Sequence, residues 1–169
     1  EEGQSIEICL DLRRWVNEVS RILDRGFVLT IDYGDISRYL YTPHRPGGTI
    51  RSFRSHRLSD DLYQDPGTAD ITAHVNFTAL MTWGRERDLI TAGYTTQSRF
   101  LMNMGILDHL RPPAPSAGFD PVYAKNMAAV KQLIMPGGMG EVFKVAAQCK
   151  GFDTRPELRG FGRVSSFRA

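Results

Sequence analysis

The stretch "GFVLTIDYG", residues 26–34, decides how this chain is read. It is rich in strand-forming residues and apolar on both faces as far as Ile31, then turns polar at Asp32 and stops at Gly34. A strand with one wet face alternates, whereas a strand apolar on both faces is covered on both. Just upstream, "LDLRRWVNEVSRILD" (10–24) places Leu12, Trp15, Val16, Val19, Ile22 and Leu23 at helical spacing. Asp11 sits near its start, and Gly26 lies just past its end, where a C-terminal cap belongs. A helix that delivers the chain into a doubly apolar strand is the unit of a parallel sheet clothed by helices. The fold class that follows is α/β.

Downstream the character changes. Between 35 and 70, Pro43, Pro46, Gly47, Gly48, Pro66 and Gly67 interrupt a stretch bearing Arg45, Arg51, Arg54, His56, Arg57, Asp60 and Asp61. It reads as a long connection with one short strand around "GTIRSF", and its tyrosines and Phe53 argue that it is ordered. In "PGTADITAHVNFTAL" (66–80), Asp70, Thr72, His74 and Asn76 alternate with Ile71, Ala73, Val75 and Phe77. That period predicts a strand whose polar face is either wet or turned into a site.

The remainder alternates helices and strands. A helix over 76–88 is capped by Asn76, "LITAGYTT" (89–96) is a strand, and "QSRFLMNMGI" is a short helix with Thr95 or Thr96 as cap and Gly105 as stop. Residues 111–119 form a Pro/Ala/Ser linker, and Asp120-Pro121 opens the helix "VYAKNMAAVKQLIM". "PGGMG" turns the chain into a last strand, "EVFKVAAQ". No internal repeat is present.

Composition narrows the function classes. The 169 residues suit one domain, 41% hydrophobic and 24% charged, with a net charge of +2. The arginines are scattered, so no nucleic-acid partner is implied. Cys9 and Cys149 match neither a disulfide framework nor a zinc pattern. No apolar run approaches the roughly 20 residues of a membrane helix. The chain begins with Glu1-Glu2 rather than Met and is read as a fragment or a processed product.

In open α/β sheets, ligands sit beyond the carboxyl ends of the strands, where Asp32 and Tyr33 stand. Asp32 either caps its own loop or serves such a site. His44, His56, His74 and His109 never fall at metal-ligand spacing, so no metal is predicted. His74 is either a polar contact at a strand edge or part of the alternating polar face. Gln97, past a strand at a helix start, either binds an anion or amide or simply caps. "PGGMG" lacks the Lys-Ser/Thr of a phosphate loop, and no GxSxG is present, so hydrolytic chemistry has no support.

Five blocks occur in order: "GFVLTIDYG", "GTIRSFRSH", "DDLYQDPGTADITAHVNFTAL", "GYTTQSRFLMNMGI" and "MGEVFKV". Together they resemble the C-terminal half of the MidA family of S-adenosylmethionine-dependent methyltransferases, from about Ile6 to Gln148. The resemblance implies the C-terminal part of a class I (Rossmann-like) methyltransferase sheet, with a large insertion after the fifth strand. "TIDYG" would be that fifth strand, and "LITAGYTT" and "EVFKVAAQ" the final pair, the last strand of the sheet running antiparallel. Residues 1–150 would form the half-domain, 35–75 its insertion, and 151–169 a tail outside the match. The family's glycine-rich loop comes earlier in the chain, and no GxGxG follows a strand in this sequence.

Mitochondrial members of that family assemble respiratory complex I and methylate an arginine of one of its subunits. The resemblance therefore implies S-adenosylmethionine as cofactor and a protein substrate, with the chain residing in a bacterial cytoplasm or a mitochondrial matrix. A homodimer is left as an open expectation. Orienting a guanidinium and drawing charge from it calls for carboxylates and neutral acceptors. Asp32, Asp70 and His74 are the catalytic candidates, and Tyr33, Asn76 and Gln97 the substrate-binding ones. The alternative is a non-catalytic scaffold that docks a protein through the 35–75 loop.

Overall fold

The computed structural model describes residues 2–54, 57–59, 61–63, 67–112 and 118–162. His56, most of the 111–119 linker and the end of the tail lie outside the described residues.

Helix α1 (Asp11–Ile22) leads through three residues into strand β1 (Gly26–Asp35). The helix closes on Leu23, whose N–H reaches the Val19 carbonyl at 3.0 Å, so Gly26 opens the strand instead of capping the helix. After β1 come α2 (Ser37–Leu40), β2 (Arg51–Arg54), β3 (Arg57–Ser59), β4 (Asp70–Thr72) and β5 (Val75–Asn76). Then follow α3 (Phe77–Arg85), β6 (Ile90–Thr96), α4 (Gln97–Met104), α5 (Pro121–Ile134), α6 (Met139–Val142) and β7 (Phe143–Lys150).

The main sheet has the order β5-β1-β7-β6. Strand β7 enters between β1 and β6 and runs antiparallel to both, from Gly26↔Lys150 to Tyr33↔Phe143 on one side and from Ile90↔Cys149 to Thr96↔Lys144 on the other. The expected antiparallel last strand is therefore present. The final strand starts at Phe143, because Glu141 and Val142 belong to the helical turn α6. Gly140 sits too close to the Ile134 backbone for any Cβ, which ties α6 to the end of α5.

The alternating stretch 70–76 is not one strand. Asp70–Thr72 pairs antiparallel with β2 in a separate three-stranded sheet, order β3-β2-β4. Val75 and Asn76 pair parallel with Gly34 and Asp35. The chain changes sheets at Ala73 and His74, so the predicted polar face is divided between two sheets. Pairing partners far away in sequence decide that break, and period alone cannot show them.

Adjacent residues of β7 point to opposite faces, and each face has its own core. Ala146 packs with Val16, Phe77, Leu80 and Leu89 under α1 and α3. On the other face Ala147 and Cys149 pack with Ala92, Phe152, Leu158 and Phe161, so residues of the expected tail cover the sheet. Complete burial of a side chain such as Phe77 or Leu80 contributes about 1.5–3 kcal/mol. That outweighs exposed ion pairs such as Arg14–Glu18, so the two apolar faces hold the fold. Along the edge of β1 away from β7, only Gly34 and Asp35 find a strand partner among the described residues. Phe27, Leu29 and Ile31 on that strand remain about half exposed, at 47%, 51% and 47%.

Candidate functional site

The carboxyl end of β1, the short parallel strand β5 and the first turns of α2 and α3 converge. Gly34 makes the convergence possible, because a Cβ there would collide with the Val75 carbonyl. Asn76 caps α3 by accepting from the Ala79 N–H at 3.0 Å, and the Ser37 hydroxyl donates to the same oxygen at 3.1 Å. Its amide nitrogen donates to the Tyr41 hydroxyl at 2.9 Å, and that hydroxyl donates to the Glu7 carbonyl at 3.2 Å. Asn76 is thus consumed in joining β5, α2 and the N-terminal segment.

Glu7 performs the same service from the other side. Gly48, at φ +69°, turns the backbone so that the Thr49 and Ile50 N–H groups both donate to Glu7 Oε1, each at 2.5 Å. Successive N–H groups arranged this way form a concave anion nest, here filled by the protein's own carboxylate. The Thr49 hydroxyl donates to Glu7 Oε2 at 3.3 Å and accepts from the His74 N–H at 3.0 Å. Sequence reading passed over Glu7; a lone glutamate in an extended segment carries no local signal.

His74 meets the Tyr33 ring edge-on at 5.7 Å between centroids, and Tyr33 meets Phe143 likewise at 5.8 Å. Burial lowers the His74 pKa below its ordinary value, and the Arg45, Lys144 and Arg51 cations add to this against the opposing Glu7. The imidazole is therefore neutral at pH 7. The unfolded chain binds the extra proton first, so this group's contribution to stability is present above about pH 6.5 and is lost as pH falls toward its folded value. Urea unfolding from pH 8 to pH 5 is expected to show a decline below pH 6.5 that His74→Gln flattens. An identical pH profile in the variant would remove His74 as the cause.

A polar cluster missed by the sequence reading stands nearby. Lys144 Nζ lies 3.2 Å from Asp35 Oδ2 and donates to the Glu141 carbonyl at 2.6 Å. The Tyr94 hydroxyl donates to Asp35 Oδ1 at 3.2 Å, and burial beside that carboxylate pushes the phenol well above its ordinary range. Asp35 escaped notice because it follows the Gly34 stop, and Lys144 because it interrupts an apolar strand.

The sequence candidates do not all come together. Tyr33 and His74 meet where β1 and β5 converge, with Asn76 two residues after His74, whereas Asp32 precedes Tyr33 and its side chain takes the opposite face of β1. The carboxylate of Asp32 accepts from the Tyr33 N–H at 2.8 Å, its one hydrogen bond among the described residues. Asp70 lies apart, exposed on β4 opposite Phe53 in the second sheet. Gln97 is buried, and its amide donates to the Leu133 carbonyl at 3.0 Å, fastening α4 to α5. Among the described residues no group of three or more His, Cys, Asp or Glu side chains could hold a metal.

Beside His74 opens a cleft of about 190 Å³ between the N-terminal segment, β5 and α3. That is below the roughly 300–1,000 Å³ of small-molecule and cofactor pockets. Its α3 end is already capped by Asn76. Among the described residues this cleft is therefore too small to cradle S-adenosylmethionine.

A family model described as "Putative S-adenosyl-L-methionine-dependent methyltransferase" matches residues 1–95. The chain belongs to this methyltransferase family. The protein arginine methyltransferase NDUFAF7, mitochondrial, is 32% identical to it in Rattus norvegicus, over 85% of this chain and 31% of that protein. The Danio rerio counterpart is 33% identical, over 85% of this chain and 32% of that protein. Two crystal structures of superfamily members from Burkholderia thailandensis are each 38% identical and cover 96% of this chain. One superposes with a TM-score of 0.87 over 42% of its own chain; the other, bound to S-adenosyl-homocysteine, with 0.83 over 41%. The family member described here spans about a third of the length of the curated relatives it matches.

Proposed function

We propose that this chain is the substrate-side portion of an S-adenosylmethionine-dependent protein arginine methyltransferase, acting on a protein such as a subunit of respiratory complex I. Family membership and the names of its relatives support the reaction class. The observation that carries the assignment in this chain is Asp32. It lies three residues before the end of β1, opposite Lys144 of β7 and toward the edge where open α/β sheets bind ligands, with one hydrogen bond to its carboxylate among the described residues. A carboxylate so placed accepts N–H groups of a guanidinium in a charge-assisted pair and orients the reacting nitrogen.

The cleft beside His74 is too small for the methyl donor, whose binding we assign to other parts of the intact protein. Asp32→Asn in the intact protein is expected to lower transfer of labelled methyl groups to arginine about 100-fold with little change in melting temperature. A variant within twofold of the parent would overturn the role of Asp32. The scaffold reading gains if the intact protein transfers no methyl group while still binding a protein partner.

A further inference from the structure

Two arginines stand near His74 on backbone that the N-terminal segment holds in place. Arg45 lies in a turn closed by its own N–H on the Thr42 carbonyl at 2.9 Å and by the Gly48 N–H on the Arg45 carbonyl at 3.1 Å. The Gln4 amide donates to the Thr42 carbonyl at 3.0 Å, and the Ser5 N–H reaches the Pro46 carbonyl at 2.8 Å, which straps the turn from outside. Arg51 opens β2 opposite Thr72, and Thr49, between the two arginines in the chain, accepts the His74 N–H. Both arginines are exposed, and among the described residues neither has a carboxylate within ion-pair distance. The acids at this end are committed elsewhere: Glu7 fills its nest, Asp35 holds Lys144, and Asp70 stands opposite Phe53. The His74 ring nitrogens have no hydrogen-bond partner among the described residues. Burial, then Arg45, Lys144 and Arg51 against the opposing Glu7, favour the neutral ring.

We propose that Arg45 and Arg51, with the His74 ring beside them, dock a carboxylate from an acidic residue of the protein substrate, in the segment that carries the methylated arginine. The proposal rests on the methyltransferase reading and names what its substrate must bring. A planar guanidinium pairs with a carboxylate through two parallel N–H bonds, and two unpaired cations repel each other until an anion lies between them. The place suits a substrate segment. Strand β5 follows His74 directly and pairs with Gly34 and Asp35, at the carboxyl end of β1 where open α/β sheets bind ligands. An arginine approaching alone meets three cations against the single Glu7, whereas one with an acidic neighbour arrives with its charge offset.

The intact protein is titrated into a rhodamine-labelled glycine peptide with one arginine flanked by aspartates, and into its asparagine counterpart, and anisotropy is followed. The aspartate peptide is expected to bind about tenfold more tightly at low salt, with most of the difference lost at about 1 M salt. Arg45→Gln with Arg51→Gln is expected to remove the difference without moving the melting temperature, since both arginines are exposed. Arg21→Gln with Arg25→Gln, at the opposite end of β1, is expected to keep it. Equal binding of the two peptides by the parent protein would overturn the proposal. So would a preference that survives the Arg45 and Arg51 changes, or one that falls equally with the Arg21 and Arg25 changes. Transfer of labelled methyl groups to the same peptides separates the two ideas. Transfer at equal kcat/KM to both peptides overturns the docking site and leaves the methyltransferase reading. An aspartate preference in binding with no transfer to any arginine does the reverse.

Discussion

Gly34→Ala is expected to cost about 3 kcal/mol and to lower the melting temperature by about 6–12 °C. The added Cβ would run into the Val75 carbonyl, and backbone cannot swing aside as a side chain can. Relief requires β5 to leave β1, which draws His74 away from Tyr33. The His74 ring resonances, shifted by the tyrosine edge 5.7 Å away, are expected to move with the loss of stability. Gly47→Ala is the control, since nothing lies within 4 Å of a Cβ there. A Gly34→Ala protein as stable as that control, with unmoved His74 resonances, would show that the β1–β5 approach does not shape this site.

Lys144→Ala is expected to cost a similar amount, about 3 kcal/mol, because it breaks a largely buried ion pair from one side. The two side chains are 11% and 25% exposed, so water does little to replace the lost partner. Asp35 would keep the Tyr94 hydroxyl and the Ile36 N–H but no cation within ion-pair distance among the described residues. Removing both charges, as Lys144→Met with Asp35→Asn, is expected to recover much of the loss, since the cost lies in the stranded carboxylate. Chemical denaturation of the three variants decides it. A single variant no worse than the double one would mean that the pair contributes nothing.

What the sequence revealed follows from how far each signal reaches. The Asn76, Thr96 and Asp120 caps and the left-handed Gly105 stop are local, and each stands where its residue pattern placed it; the strand expected at 26–34 runs to Asp35, but its long pairing is antiparallel and one of its apolar faces is half exposed. The antiparallel course of the last strand came from resemblance to a family, and its insertion between β1 and β6 was not legible, because strand order is a matter of distant pairing. The division of 70–76 between two sheets was hidden for the same reason, and with it the separation of Asp70 from His74. Glu7 is the clearest loss. Its importance lies in a nest formed 41–43 residues later, a relation no motif encodes.

The half-exposed apolar residues of β1 and the stretch of its edge before Gly34, which has no strand partner among the described residues, are a template for another strand. They agree with a chain that spans about a third of the length of its relatives. The direct test is calorimetric titration of S-adenosylmethionine into the 169-residue chain. A parallel titration uses this chain joined to the remaining part of the Burkholderia thailandensis relative that binds S-adenosyl-homocysteine. Binding by the joined protein alone is the expected result. Binding by the 169 residues unaided would contradict the account, because it would put the whole cofactor site within this chain.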